Sequence, residues 1–449
     1  MRSRKQATCL LLVAASTLCA AQVQDVLWRF NGDDGKAATS ALIMDGAHNL
    51  YGTTRGSVDK PRCHAEHEET YCGTIYQLSP PAQDGSPWQE TIIHRFAGVP
   101  DGAFPSGELA TDQAGNIYGV TSFGGSPEGF GIVYQLSPPI APGDPWTETV
   151  LHTFTGTDGN EPAGVSLDDA GNLFGTTSQG GCGNVGTVFE LSPPSPPGSQ
   201  WTFQSLYGFH CDNQHAKDGY IPGAPPIRGP GGNLYGTTAY GGDFTDGTVY
   251  KLMPPLPGHS AWRYKTIHSF DYQITGANPW SLLTAFQGHL YGTASEGGQT
   301  STGLCQDLGG CGTVFRLSPP NAQDDDWTFE TIYAFSGTDG ASPLAGVSFD
   351  KQARLYGTTD IGGDPTCVSA FSDGCGVVFL LTPPMNPGSS WTNTTLHAFT
   401  GLTDGAFPVF EVLVGRAGAI YGTAWAGGDH HCSISARNNG CGVVFKIIP

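Results

Sequence analysis

Leu173-Phe174-Gly175-Thr176-Thr177, followed by Gly180-Gly181 and then by Gly186-Thr187-Val188-Phe189-Glu190-Leu191, is the stretch on which the fold turns. The same order of apolar residue, aromatic and glycine recurs at Leu50-Tyr51-Gly52, Ile117-Tyr118-Gly119, Leu234-Tyr235-Gly236, Leu290-Tyr291-Gly292, Leu355-Tyr356-Gly357 and Ile420-Tyr421-Gly422. The chain thus holds seven copies, 56 to 67 residues apart. Most copies run on through Thr-Thr and a Gly-Gly pair into an insert of variable length, then into a strand of the Gly-Thr-Val-Phe type. Self-similarity at such a period marks a repeat architecture.

The quoted residues read as a second strand, a loop and a third strand. Ser-Pro-Pro usually follows, and two prolines that cannot donate to a ladder end the third strand. Residues 146–154 and 327–335 alternate with period two and are read as fourth strands. An Asp-Gly turn and a proline then lead into the first strand of the next unit, as at residues 164–168. Four short antiparallel strands per repeat suit a propeller blade better than a solenoid coil. The chain opens with a lone fourth strand at residues 26–30 and stops after a third strand at residues 442–447, a phase that circular closure explains. The expectation is an all-β, seven-bladed β-propeller of four-stranded blades, closed by the N-terminal strand pairing with the C-terminal blade.

These residues resemble the GloVer (Gloeo/Verruco) tandem repeat of secreted bacterial proteins, over essentially the whole chain after its first residues. The resemblance implies secretion and a repeat fold and brings no established activity. The family is named partly for varied C-terminal anchors, and no recognisable anchor is present here.

Arg2, Arg4 and Lys5 precede an apolar run at residues 10–13 and the small residues Ala20 and Ala21, the order of a secretory signal peptide. The expected organisation is a signal at residues 1–21 and one domain at residues 22–449, secreted to an extracellular or periplasmic compartment. Leu18 before Cys19 argues against lipidation. No later apolar stretch is long enough to cross a bilayer. The formal net charge of -20 makes nucleic acid an unsuitable partner, because phosphate binding needs a basic face. Oligomeric state is not readable from the sequence.

Ten cysteines lie beyond the signal, an even number that in a secreted chain favours disulfides over zinc. Cys63 and Cys72, Cys305 and Cys311, Cys367 and Cys375, and Cys432 and Cys441 each share an insert, and the second of each pair precedes the glycine of a third strand. Local pairing is expected, which leaves Cys182 to join Cys211.

The variable inserts and the turns after the fourth strands share one face, the expected functional face. Its turns carry Asp34, Asp101, Asp158, Asp218, Asp339 and Asp404, each before a glycine. They fit either a ring of ligand carboxylates or tight-turn residues that accept backbone hydrogen bonds. Phe104, Ile221 and Phe407 stand before the loop prolines, with Tyr220 and Trp280 close by. They fit either sugar-stacking aromatics or packing beneath the loops. Trp28, His94, His152, Tyr207, His268, Tyr333 and His397 each lie two residues before a Phe and read as an inter-blade position. His64 and His67 in the first insert, with His430 and His431 in the last, could share a divalent transition metal if closure makes those inserts neighbours. No cofactor is required. No nucleophile elbow, zinc-protease, phosphate-loop or dinucleotide motif is present. The expected function is a secreted binding or scaffold protein whose ligand is an extracellular glycan or protein. The alternative is a polysaccharide hydrolase or lyase with acidic and His residues at the channel mouth.

Overall fold

A computed structural model of the protein describes residues 23–56, 72–83, 85–141, 143–196, 198–210, 216–298, 303–321, 326–367, 374–386, 388–429, 431–435 and 438–449. The expected signal segment lies outside them. Each apolar-aromatic-Gly copy opens the second strand of an antiparallel sheet. In the third unit Asn160–Leu167, Leu173–Gln179, Thr187–Ser192 and Thr202–Gly208 pair in that order. The second strand is buried over its first five residues, whereas the outer fourth strand has only Leu206 buried, as its one-sided packing requires. Gly175 is a glycine because the Phe189 ring of the third strand lies over it, 2.2 Å from where a Cβ would sit. Among the described residues α-helix is confined to Gly303–Asp307, and no helix is long and apolar enough to cross a membrane.

Neighbouring units, arranged as in a propeller, are joined by the same contacts repeated. The Phe that ends each fourth strand meets the third-strand aromatic of the next unit at 5.0–5.7 Å between ring centres. The pairs are Phe96–Tyr134, Phe154–Phe189, Phe209–Tyr250, Phe270–Phe315, Phe335–Phe379, Phe399–Phe445 and Phe30–Tyr76. On the inner side, the first Thr of the Thr-Thr pair donates to a carbonyl of the next unit. These bonds are Thr176 to Ala224, Thr237 to Ser281, Thr293 to Ala345, Thr358 to Phe410 and Thr423 to Ser40, at 2.8–3.3 Å.

The second unit has Val120 at this Thr position and no hydroxyl to give. There the inner strands Ala103–Thr111 and Asn160–Leu167 bridge directly, Glu108 to Gly164, and the second and third units merge into one eight-stranded sheet. This departs from the expectation of separate four-stranded blades. Inner strands elsewhere are only two or three residues long, as at Ile227–Arg228 and Thr284–Phe286.

The residue before each loop proline holds a left-handed backbone: Phe104, Glu161, Ile221, Asn278, Ser342 and Phe407, with Ala37 at the corresponding place. At six of these the N–H reaches the carbonyl that precedes a third-strand glycine: Phe104 to Cys72, Ile221 to Val185, Asn278 to Asp246, Ser342 to Cys311, Phe407 to Cys375 and Ala37 to Cys441, at 2.8–3.0 Å. That glycine must be small: a Cβ on Gly247, itself at positive φ, would lie 2.5 Å from the Pro279 ring of the next unit. The cysteines therefore anchor the carbonyls that hold the next unit's loop. Cys305–Cys311, Cys367–Cys375 and Cys432–Cys441 are paired as expected. Cys72 and Cys182 are also disulfide-bonded, while Cys63 and Cys211 lie outside the described residues.

Val23–Arg29 pairs antiparallel with Val443–Ile448, from Val23 opposite Ile448 to Arg29 opposite Val443. Deleting residues 26–30 is expected to lower Tm far more than trimming an exposed loop of the same length, because it strips one sheet of its outer strand. Thr423→Val should cost about 1 kcal/mol, and Thr423→Ser should retain most of it. Calorimetry showing no difference between deletion and loop trimming would refute the pairing. A non-reduced digest should yield Cys182 and Cys211 in one linked peptide pair.

Candidate functional site

The two repeating positions on the expected functional face meet each other. Asp34, Asp101, Asp158, Asp218, Asp339 and Asp404 each accept the backbone N–H just past the preceding fourth strand, at 2.6–3.1 Å. Each also binds the ring two residues before the Phe. His94 reaches Asp101 at 3.0 Å, His152 reaches Asp158 at 2.9 Å and His397 reaches Asp404 at 3.1 Å. Trp28 donates to Asp34 at 2.9 Å, Tyr207 to Asp218 at 2.8 Å, and Tyr333 to Asp339. The carboxylates are thus engaged in closing their own turns. After the outer strand of the fourth unit, where the Asp-Gly pair is missing, Thr275 Oγ1 accepts the N–H of Asp271 instead. His268 there stacks on Phe329 at 4.0 Å, its Nε2 has no hydrogen-bond partner, and burial pushes its pKa down to about 4.

The ring position is an inter-unit contact, as expected, because a fourth-strand residue of the next unit covers it. Phe203, Tyr264 and Phe329 stack on His152, Tyr207 and His268. Glu90 and Glu148 take that place beside Asp34 and Asp101. Burial and then the neighbouring Asp push Glu90 up to about 7 and Glu148 up to about 8. His94, Asp101 and Glu148 offer donor atoms within 4.8 Å of one another, a set that a metal ion could join. The metal site expected at the seam is outside view for His64, His67 and His430; His431 is exposed over 98% of its side chain and pairs locally with Asp429 at 3.0 Å.

Of the aromatic candidates, Phe407 is buried, while Phe104 is half-buried against Phe123, with the Arg55 guanidinium over its ring. Tyr220 stacks on Tyr240 at 5.4 Å, and Tyr240 meets Trp280 edge-on at 5.8 Å. Trp280 lines a cavity of about 290 Å³ walled by the inner segments of six successive units, the second to the seventh. Ser106, Glu108, Glu161, Leu344, Val409 and Glu411 share that wall. A second cavity of about 840 Å³ continues beyond it and has Glu108 and Leu282 in common with the first, so Glu108 stands at the waist between them.

Glu108, Glu161 and Glu411 are the residues that sequence reasoning missed. Glu108 is partly accessible along its length, but its Oε2 is enclosed and has no hydrogen-bond partner. Burial, reinforced by the Glu411 charge, pushes its pKa up to about 8. Glu411 accepts a 2.7 Å bond from Ser348 Oγ, and burial still pushes it up to about 7. Both stand three residues past a loop proline or its equivalent, where Ala41, Pro225, Leu282 and Gly346 stand in other units. A charged residue in an otherwise small or apolar column was the available signal.

Glu90, Glu108, Glu148 and Glu411, with Asp360 raised by burial to about 6, keep their protons in the folded state to higher pH than in the unfolded chain. Their stabilising contribution is complete below the ordinary carboxylate range near pH ~4 and is lost as pH rises to about 8. Asp112, Asp158, Asp350 and Asp404 are lowered by hydrogen bonds that outweigh burial, so their contribution is lost in stronger acid. Tm should therefore be highest in mild acid and fall by several degrees between pH 5 and pH 8, with a shallower fall in Glu108→Gln. A Tm that rises over this interval would contradict the assignment.

Two solved structures resemble the protein at low identity. A putative oxidoreductase (glucose dehydrogenase) from Thermus thermophilus is 13% identical with a TM-score of 0.39, covering 95% of this chain and 100% of its own. A luciferin-regenerating enzyme is 11% identical with a TM-score of 0.40, covering 95% of each chain. Neither likeness bears on the activity of this chain. No curated protein matches. The Gloeobacter/Verrucomicrobia repeat matches residues 63–306, more than half of the chain, and so the protein belongs to the Gloeobacter/Verrucomicrobia repeat family.

Proposed function

We propose that the protein is a secreted seven-bladed propeller, its ring closed by its own first strand, that binds an extracellular glycan at the mouth of the axial cavity. Closure is supported by the unbroken series of seven Phe contacts, in which Phe399–Phe445 and Phe30–Tyr76 lead from the last unit back to the first. Secretion is supported by the signal-like order of residues 2–21 and by the disulfides. The observation that carries the binding reading is Trp280, half-buried beside Tyr240 in the wall of a cavity of about 290 Å³. An indole offers the apolar face on which a sugar ring stacks, and Ser106, Glu161 and Glu411 offer partners for its hydroxyls. The described ends of the inserts lie near this mouth: the Cys72, Cys311 and Cys375 carbonyls hold Phe104, Ser342 and Phe407, each of which leads into a segment of the cavity wall. Glycan binding here requires no cofactor; the His94, Asp101 and Glu148 group offers a place for a divalent ion away from the cavity.

A hydrolytic reading is favoured by one observation: Glu108 and Glu411 hold protons to near-neutral pH, as a general acid must. One experiment separates the two. The purified protein is passed over a broad panel of immobilised polysaccharides, and both retention and newly formed chain ends are measured. Retention without new ends, weakened at least about tenfold by Trp280→Ala, is expected for the binder. New ends that vanish in Glu411→Gln would establish a cleaving enzyme instead, a hydrolase if the ends are saturated and a lyase if they are not. Retention of no glycan would remove the glycan reading.

A further inference from the structure

The lining of the two axial cavities is charged with one sign only. Glu108, Glu161 and Glu411 face the first, Asp112, Asp168 and Asp169 the second, and among the described residues neither lining contains a Lys, Arg or His. Asp112 is occupied by the Asn116 and Tyr118 side chains, and Asp168 by Arg228. Glu108 is different in kind: its Oε2 is enclosed at the waist of the axis with no donor offered to it. Orphaned buried carboxyl oxygens are costly, and proteins of this size satisfy nearly all of them. A group that brings its own donors and a positive charge would answer both Glu108 and Glu411, which line the same cavity, where the Glu411 charge also raises Glu108.

We propose that the ligand of this cavity carries a protonated primary amine, and that the glycan recognised is an amino sugar with a free amino group, its ammonium directed at Glu108 and Glu411 and its ring against Trp280. This rests on the glycan reading above and narrows it. An ammonium has three donors and fits between two carboxyls at hydrogen-bond distance. The indole adds a favourable face for a cation as well as for the sugar ring. Burial disfavours the ionised carboxyls only while they lack a counter-charge, so the incoming ammonium and their ionisation reinforce each other. A bare metal ion fits less well: of the two cavities' carboxyls, Asp112 and Asp168 are already committed, and Glu411 is held by Ser348. An N-acetylated sugar would bury an amide with no charge for Glu108 to meet.

The test uses the full protein and calorimetry with three oligosaccharides of equal length: a glucosamine oligomer, its N-acetylated counterpart and a neutral β-glucan oligomer. The glucosamine oligomer is expected to bind at least about tenfold more tightly than the other two. Glu108→Gln and Glu411→Gln should each abolish that preference while leaving weak, equal binding of all three. Glutamine keeps the shape, and both variants are expected to fold with an unchanged or higher Tm, read in the same samples. Equal binding of all three by the unaltered protein would overturn the amine proposal and leave the glycan reading standing. Binding of none would overturn both. A preference for glucosamine that survives both Gln substitutions would place the amine elsewhere and overturn the assignment to this cavity.

Discussion

The edge of one phenylalanine ring against the aromatic of the next unit is the contact on which the rest of the structure depends. It occurs seven times, at 5.0–5.7 Å, between residues that are all fully or almost fully buried. Edge-to-face pairs contribute about 1 kcal/mol each beyond their buried area, yet their larger effect is geometric. A ring edge meets a ring face over a narrow range of angles, so repeating the contact repeats the rotation between sheets. Everything nearer the axis inherits that rotation: the Thr hydroxyls that reach forward to the next carbonyl, the glycine against the next proline, and the left-handed residues that lead into the cavity wall.

The rim and the axis illustrate how such a scaffold separates structural from exposed chemistry. The Asp-Gly carboxylates, conspicuous in the sequence, are committed to their own turns and to the ring two residues before the Phe. The glutamates of the axis are uncommitted or only partly committed. Left-handed backbone at non-glycine residues such as Phe104, Ile221 and Asn278 costs of order 1–3 kcal/mol each and persists only where its surroundings dictate it. Here the dictate is explicit, a single N–H to a carbonyl at the end of the preceding unit's insert. The rim side chains are thereby free to differ from unit to unit while their backbones cannot.

Much of the fold was legible because the aromatic-Gly phrase and the period-two fourth strand have strong local signatures. The ring position and the Asp-Gly turn were each visible as repeats, but their partnership was not, since six to eleven residues separate them across a turn whose geometry the sequence does not state. The merging of the second and third units was hidden in one substitution, Val120 for Thr, whose meaning appears only when the lost hydroxyl is seen to have spanned two units. Glu108 and Glu411 escaped for a related reason. The inner segment of the third unit runs from Pro162 to Val165, one residue shorter than Pro105 to Leu109 in the second. That shift blurs the column in which two glutamates stand among small and apolar residues.

The pairing of Val23–Arg29 with Val443–Ile448 also sets an order of events. A ribosome delivers the outermost strand of this sheet first and its neighbour last, so for nearly the whole time of synthesis the first strand has no native partner. The intervening units have only local partners to find and can form as they emerge, whereas the seam must wait for the final residues, the slow and long-range step of an otherwise local fold. A waiting strand with free backbone groups is a hazard to any neighbour with an open edge. Gln24, Asp25 and Arg29 on either side of Val26, Leu27 and Trp28 keep the apolar run of that strand short until its partner arrives.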